Sequence, residues 1–227
     1  MLETSKPEKC AVIVFAKRPR IGQGKQRLAA EIGQQAAFEV ATLLLEQTLG
    51  MLEQWQGALV VSPSEIEDSD WASQLLQRPV IVIPQHSGGL GERLQQIDNE
   101  VRLLGYSSLI FIGSDAPLLS VEQLRSVEKN LDNYAQVFIP AQDGGVTLMA
   151  SNKPWMNLES VSWSTDKVFS QLKSMCIKQG LNLQIRPSMY DLDDLDACQQ
   201  FLSRADFADN PSKVFDKKLN TILDTYA

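Results

Sequence analysis

Ala11-Val12-Ile13-Val14-Phe15-Ala16-Lys17-Arg18-Pro19-Arg20-Ile21-Gly22-Gln23-Gly24-Lys25-Gln26-Arg27-Leu28 is a short apolar run that passes into a basic loop. The run Ala11 to Ala16 is rich in β-branched residues, too short for a helix and closed by proline and glycine, so it predicts a buried strand. A helix pattern starts near Lys25. From Lys17 to Arg27 stand five cations and no acid, in a chain whose formal charge is -7. Strand, glycine-containing loop and helix start together offer backbone N–H groups, a positive dipole end and side-chain charge, which is a geometry that holds phosphate. Lys17, Arg18, Gly22, Lys25 and Arg27 are therefore phosphate-binding candidates. Lys25 and Arg27 lie two apart and cannot share a helix face, which leaves one to grip phosphate while the other pairs elsewhere.

Working outward, helical and strand patterns alternate. A helix is expected from Gln34 to Trp55, strands at Ala58 to Ser62 and Val80 to Pro84, a helix from Leu90 to Leu104 and a strand from Ser108 to Gly113. A helix from Val121 to Leu131 and a strand from Val137 to Pro140 follow. The strands are continuously apolar, which predicts an α/β fold: a three-layer, Rossmann-like arrangement with a mostly parallel central sheet. The second half changes character, with a hairpin segment at Val146 to Ala150, a helix from Asp166 to Gln179, a strand at Leu183 to Arg186 and a helix near Ala197. A mixed sheet is expected there. One domain is expected over 1–227, with 205–227 as a loosely attached helical extension set off by Asp209-Asn210-Pro211.

Composition narrows the function. The acidic balance argues against nucleic acid as a partner, because backbone affinity needs a broad basic surface rather than one loop. No apolar stretch reaches bilayer-spanning length and Met1 to Lys9 is polar, so a cytoplasmic location without a membrane span is expected. Cys10, Cys176 and Cys198 lack disulfide or zinc spacing and read as buried thiols. The single histidine, His86, reads as a surface group and makes an imidazole-based nucleophilic site improbable.

In open sheets of this kind ligands bind beyond the carboxyl ends of the strands. Asp115 follows the Ser108 to Gly113 strand, and Pro117 keeps Ala116 out of helical geometry, while Ser120 and Gln123 form a capping box for the next helix. A carboxylate placed there suits Mg²⁺ or Mn²⁺, which prefer carboxylate oxygen and share coordination with substrate phosphates. Asp191, Asp193, Asp194 and Asp196 precede a helix, where acids are favourable in themselves. Asp191 and Asp193 alternate, so that one of them is a candidate to share a metal with Asp115. Gly88 and Gly91, in Gly88-Gly89-Leu90-Gly91-Glu92-Arg93, are candidates for backbone closing over a nucleotide, beside the plainer reading of a strand-to-helix turn. Asp143-Gly144-Gly145 is a hairpin-turn signal whose Asp143 is the candidate catalytic base.

In order, these motifs resemble those of one family: the bacterial nucleotide-diphospho-sugar transferase-like proteins of GT-A fold, grouped as presumptive glycosyltransferases. Phe15-Ala16-Lys17-Arg18-Pro19 with Gly22, Lys25 and Arg27 is similar to the family's F-A-K-x-P-x-x-G-x-x-K-T-R-L opening. Gly88 to Arg93, Gly113 to Pro117, Asp143 to Leu148, Trp163-Ser164-Thr165 and Asp191 to Asp193 resemble its later motifs. The chain departs from the pattern at Gln26, Gly89, Val146 and Thr147. The resemblance implies a metal-dependent glycosyltransferase that takes a nucleotide-sugar donor and a small-molecule acceptor. Lys17, Lys25 and Arg27 would lie on the phosphates and Asp115, Asp191 and Asp193 on the metal. Two alternatives stand beside it: a nucleotidyltransferase that releases pyrophosphate, for which the dense cations of the first loop argue, and a non-catalytic nucleotide-binding descendant.

Overall fold

The computed structural model describes residues 9–204 and 213–226. The polar opening segment and Asp209-Asn210-Pro211 lie outside them. Seven strands form one sheet: β1 (Cys10–Ala16), β2 (Ala58–Pro63), β3 (Ile81–Val82), β4 (Ser108–Ile112), β5 (Gln136–Pro140), β6 (Val146–Ser151) and β7 (Leu183–Ile185). Their order is β3-β2-β1-β4-β6-β5-β7. Neighbours are parallel except β6, which runs antiparallel to both β4 and β5. The expected mixed second half is thus one reversed strand, paired to β5 by the Asp-Gly hairpin and inserted beside β4.

The two-residue period of the strands sorts their side chains onto two faces. Val12, Val14, Val61, Ile110, Ile112, Val137, Ile139 and Leu148 pack beneath α2 (Gln34–Leu52), α3 (Ser69–Ser73) and α5 (Val121–Asn130). Ala11, Ile13, Val60, Leu109, Phe111, Phe138 and Met149 pack beneath α4 (Leu90–Leu103) and α6 (Val168–Lys178). Both faces are covered, which is why the strands lack polar alternation. The capping box of α5 forms as expected: Gln123 N–H donates to Ser120 Oγ at 3.3 Å, and Ser120 N–H to Gln123 Oε1 at 2.8 Å. The three cysteines are buried and form no disulfide with one another, and His86 is exposed and pairs with Glu100.

The helix pattern that starts near Lys25 is α1 (Gln26–Ile32), and the one expected from Gln34 to Trp55 is α2; they part at Gly33. With seven residues, α1 is too short to serve as the dipole-driven anion site expected there. The polar connection after β2 folds into a turn at Ile66–Asp68 followed by α3. The terminal helix, α8 (Lys213–Tyr226), is not loosely attached: Phe215, Leu219 and Leu223 form a buried stripe against α2 and α7 (Leu195–Ser203). Their one-turn spacing makes that stripe, which the exposed polar residues between them obscured. No helix among the described residues is long and apolar enough to cross a membrane.

Candidate functional site

β1 and β4 run parallel and end together, which delivers the basic loop and the Ser114-Asp115 turn to one rim of the sheet. Side chains of α2 fasten that turn, Gln47 Nε2 donating to Pro117 O at 3.3 Å and Thr48 Oγ1 to Ser114 O at 3.4 Å. The segment after β7 is drawn to the same rim, since Met189 N–H donates to Pro140 O at 2.9 Å and Leu192 N–H to Asp115 O at 3.0 Å. Leu192 is itself fully buried against α1, α2 and α7. Asp193 N–H closes a tight turn onto Asp191 O at 3.1 Å. That turn undoes the strand-like alternation, so both carboxylates join Asp115 rather than one of them. One oxygen from each of Asp115, Asp191 and Asp193 lies within 4.8 Å of the others.

The cluster already holds a cation of the chain's own. Lys25 Nζ lies 2.7 Å from Asp115 Oδ1 and 2.6 Å from Asp193 Oδ1, with its side chain only 6% exposed. Burial lowers the Lys25 pKa, but the carboxylates of Asp115, Asp193 and Asp191 outweigh it and hold the ammonium above its ordinary range. Asp191 is pushed up to about 8, by burial first and then by the negative charges of Asp115 and Asp193, against the pull of Lys25. Three hard oxygen donors around a bound ammonium form a set that fits Mg²⁺ or Mn²⁺.

The other loop cations have distinct fates. Arg18 and Arg20 converge on Asp68 Oδ1, at 3.4 and 2.5 Å, and Asp68 is 1% exposed. Arg18 also lies over the Trp71 ring, 5.9 Å from its centroid. This acid–arginine clamp was missed from the sequence; the only signal was the run of acids from Glu65 to Asp70 facing a basic loop. Gln26 Nε2 braces the loop by donating to Gly22 O at 3.1 Å and Gly24 O at 3.3 Å. Lys17 and Arg27 have no carboxylate partner among the described residues.

Two chambers open on either side of Lys25 and Asp193. The smaller, about 260 Å³, is walled by Lys17, Arg18, Gly24, Ser114 and Asp115. The larger, about 660 Å³, is walled by Arg27, Asp143, Trp163, Thr165, Asp166 and Asp191. Asp143 sits in the β5–β6 turn, where Oδ1 accepts from Gly145 N–H at 2.9 Å, as its turn reading required. Trp163 donates from Nε1 to Leu158 O at 2.8 Å, and Ser164 holds a left-handed backbone at φ 62°.

Gly88, Gly91 and Gly22 were expected to bind phosphate, and none of them walls either chamber. Gly88 turns the chain into α4, where Glu92 accepts from Gly89 N–H at 2.7 Å. Gly91 is a packing glycine: a Cβ there would lie 2.2 Å from Leu158 O and 2.5 Å from Trp163 Nε1. Gly22 faces the Gln34 side chain, and Gly24 takes the chamber wall in its place.

Comparison with known proteins places this arrangement. A family profile described as "Uncharacterized protein conserved in bacteria (DUF2064)" matches residues 45–165. No curated protein matches the chain. The crystal structure of a presumptive nucleotide-diphospho-sugar transferase from Desulfovibrio desulfuricans G20 superposes with a TM-score of 0.83 at 18% identity, over 96% of this chain and 98% of that one. A nucleotidyl transferase from Methanothermobacter thermautotroptrophicus gives 0.57 at 14% identity, over 94% and 99%. A 4-diphosphocytidyl-2C-methyl-D-erythritol synthase from Anaerococcus prevotii gives 0.56 at 12% identity, over 96% of each chain. At these identities the likeness establishes the nucleotide-diphospho-sugar transferase fold and nothing finer.

Proposed function

Because this chain belongs to that family of uncharacterized bacterial proteins, and shares the nucleotide-diphospho-sugar transferase fold, we propose that it transfers a sugar from a nucleoside diphosphate donor to a small acceptor. The observation that carries the reading is the disposition of the five loop cations around the acid cluster. Arg18 and Arg20 are committed to Asp68 and Lys25 to Asp115 and Asp193. Lys17 and Arg27 remain, and even with Lys25 released from the acids the set suits a diphosphate beside a metal and is sparse for a triphosphate.

In this reading the diphosphate lies in the smaller chamber against Lys17 and the Gly24 backbone, and sugar and acceptor occupy the larger one. Asp115, Asp191 and Asp193 would hold Mg²⁺ or Mn²⁺, whose charge would stabilise the leaving diphosphate. Arg27 adds positive charge on the wall of the larger chamber. Asp143 retains Oδ2 beyond its turn hydrogen bond and is the residue we assign to accept the acceptor's proton.

Thermal shift with Mn²⁺ tests it across nucleoside diphosphates, nucleotide sugars and nucleoside triphosphates. Nucleotide sugars should raise the melting temperature most. A triphosphate preference with pyrophosphate release would instead establish nucleotidyl transfer, the second reading, which the likeness to the two nucleotidyltransferase-type structures favours. Turnover of any donor would dispose of a purely binding role.

A further inference from the structure

Lys25 stands where the cation of a three-carboxylate site would stand. Its Nζ makes charge-assisted hydrogen bonds to Asp115 Oδ1 and Asp193 Oδ1 at 2.7 and 2.6 Å. A divalent ion would take carboxylate oxygens at about 2.0–2.2 Å, and an ammonium on the same oxygens would then face it at close range as a like charge. One site holds one cation or the other.

The surroundings give the ammonium somewhere to go. Lys25 walls both chambers, so its flexible stem is placed to turn toward either one. Its backbone is left-handed, at φ 45° and ψ 41°, a strained conformation for a residue with a Cβ. Gly24 before it is at φ 74°, and α1 begins at Gln26 without a side-chain cap at Lys25. The ion pairs to Asp115 and Asp193 hold its side chain, while Ala29 N–H donates to Lys25 O at 2.8 Å.

We propose that Lys25 is an exchangeable resident cation: it closes the acid cluster to bare divalent ions and yields its place when a diphosphate in the adjoining chamber offers Nζ a new anion. Metal and nucleotide then enter together, each strengthening the other's binding by the same factor. The coupling half of this inference rests on the donor reading above. The resident-cation half rests on the Lys25 geometry alone.

Mn²⁺ titration followed by electron paramagnetic resonance, on protein without nucleotide, tests that second half. Lys25→Met should bind Mn²⁺ at least about tenfold more tightly than wild type, and Lys25→Arg, which keeps the charge, should bind as weakly as wild type. Lys25→Gln, neutral and able to hydrogen-bond the carboxylates, serves if Lys25→Met fails to fold, with the same gain expected. Equal or weaker Mn²⁺ binding by a folded neutral variant overturns the proposal. Adding a nucleoside diphosphate to wild type should tighten Mn²⁺ by about tenfold, a gain the neutral variants should lose. A wild type that binds Mn²⁺ but no nucleotide would overturn the donor reading, while the comparison without nucleotide still decides the role of Lys25.

Discussion

Leu192 N–H donates to the carbonyl of Asp115 at 3.0 Å, so a backbone hydrogen bond ties the two acidic turns of the cleft to each other. The Leu192 side chain is fully buried beneath α1, α2 and α7. Leu192→Ala should therefore destabilise the protein by about 2–5 kcal/mol in denaturant unfolding. It should also weaken Mn²⁺ binding, because Asp191 and Asp193 flank the anchor. A variant that loses stability but keeps full Mn²⁺ affinity would show that the turn is held without Leu192.

The Asp68 clamp makes a prediction about the basic loop. Asp68→Ala removes a buried carboxylate from two half-exposed arginines and should cost about 2 kcal/mol, less than a fully buried pair because Arg18 and Arg20 regain water. Limited trypsin digestion should then cut after Arg20 faster than in wild type. Unchanged cleavage would mean that the Gln26 brace alone fixes the loop.

Asp191 sets a pH dependence. Its folded value is pushed up to about 8 from the ordinary 3.8, so without metal the folded state binds the extra proton. The resulting stabilisation is complete below about pH 4 and is lost as pH rises through about 8. The metal-free melting temperature should fall across that window, and Asp191→Asn should flatten the fall. Mn²⁺ affinity should run the opposite way and increase as pH rises, since metal displaces the proton. A melting temperature that climbs with pH in wild type but not in Asp191→Asn would reverse the assignment.

Gly144 joins the Asp143 turn to the wall of the larger chamber. It sits at φ 91°, and a Cβ would lie 2.2 Å from Asp166 O. Gly144→Ala should destabilise by about 1–3 kcal/mol and displace Asp143 from the cleft. In donor turnover, kcat should drop more than KM rises. Wild-type turnover by Gly144→Ala would remove Asp143 from the chemistry.

The sheet was readable from sequence because each strand is apolar along its whole length, and β1, β2, β4 and β5 fall where those runs lie. β3 is short, Ile81–Val82, yet Ile83 N–H and Gln85 N–H go on donating to Val61 O and Pro63 O at 3.1 and 2.9 Å, and Pro84 is tolerated between them because its missing N–H falls on the outer side of this edge strand. Asp115, Asp191 and Asp193 were legible as acids next to strand ends. That both members of the last pair converge was not, because a tight turn between alternating residues leaves no composition signal. Asp68 was invisible for another reason: its meaning depends on Arg18 and Arg20, 50 and 48 residues away. Cation density was legible, yet the sequence could not say which cations the protein spends on itself.

The reversed strand β6 has a final consequence. It lies between β4 and β5, so the turn carrying Asp115 leaves β4 while the turn carrying Asp143 joins β5 to β6, one to two strand places away, about 5–10 Å at ordinary strand spacing. The gap between the acid cluster and the residue assigned to the acceptor is thus a dimension of the sheet. If a group passes between them, as proposed, the paired strands act as a ruler that keeps that distance.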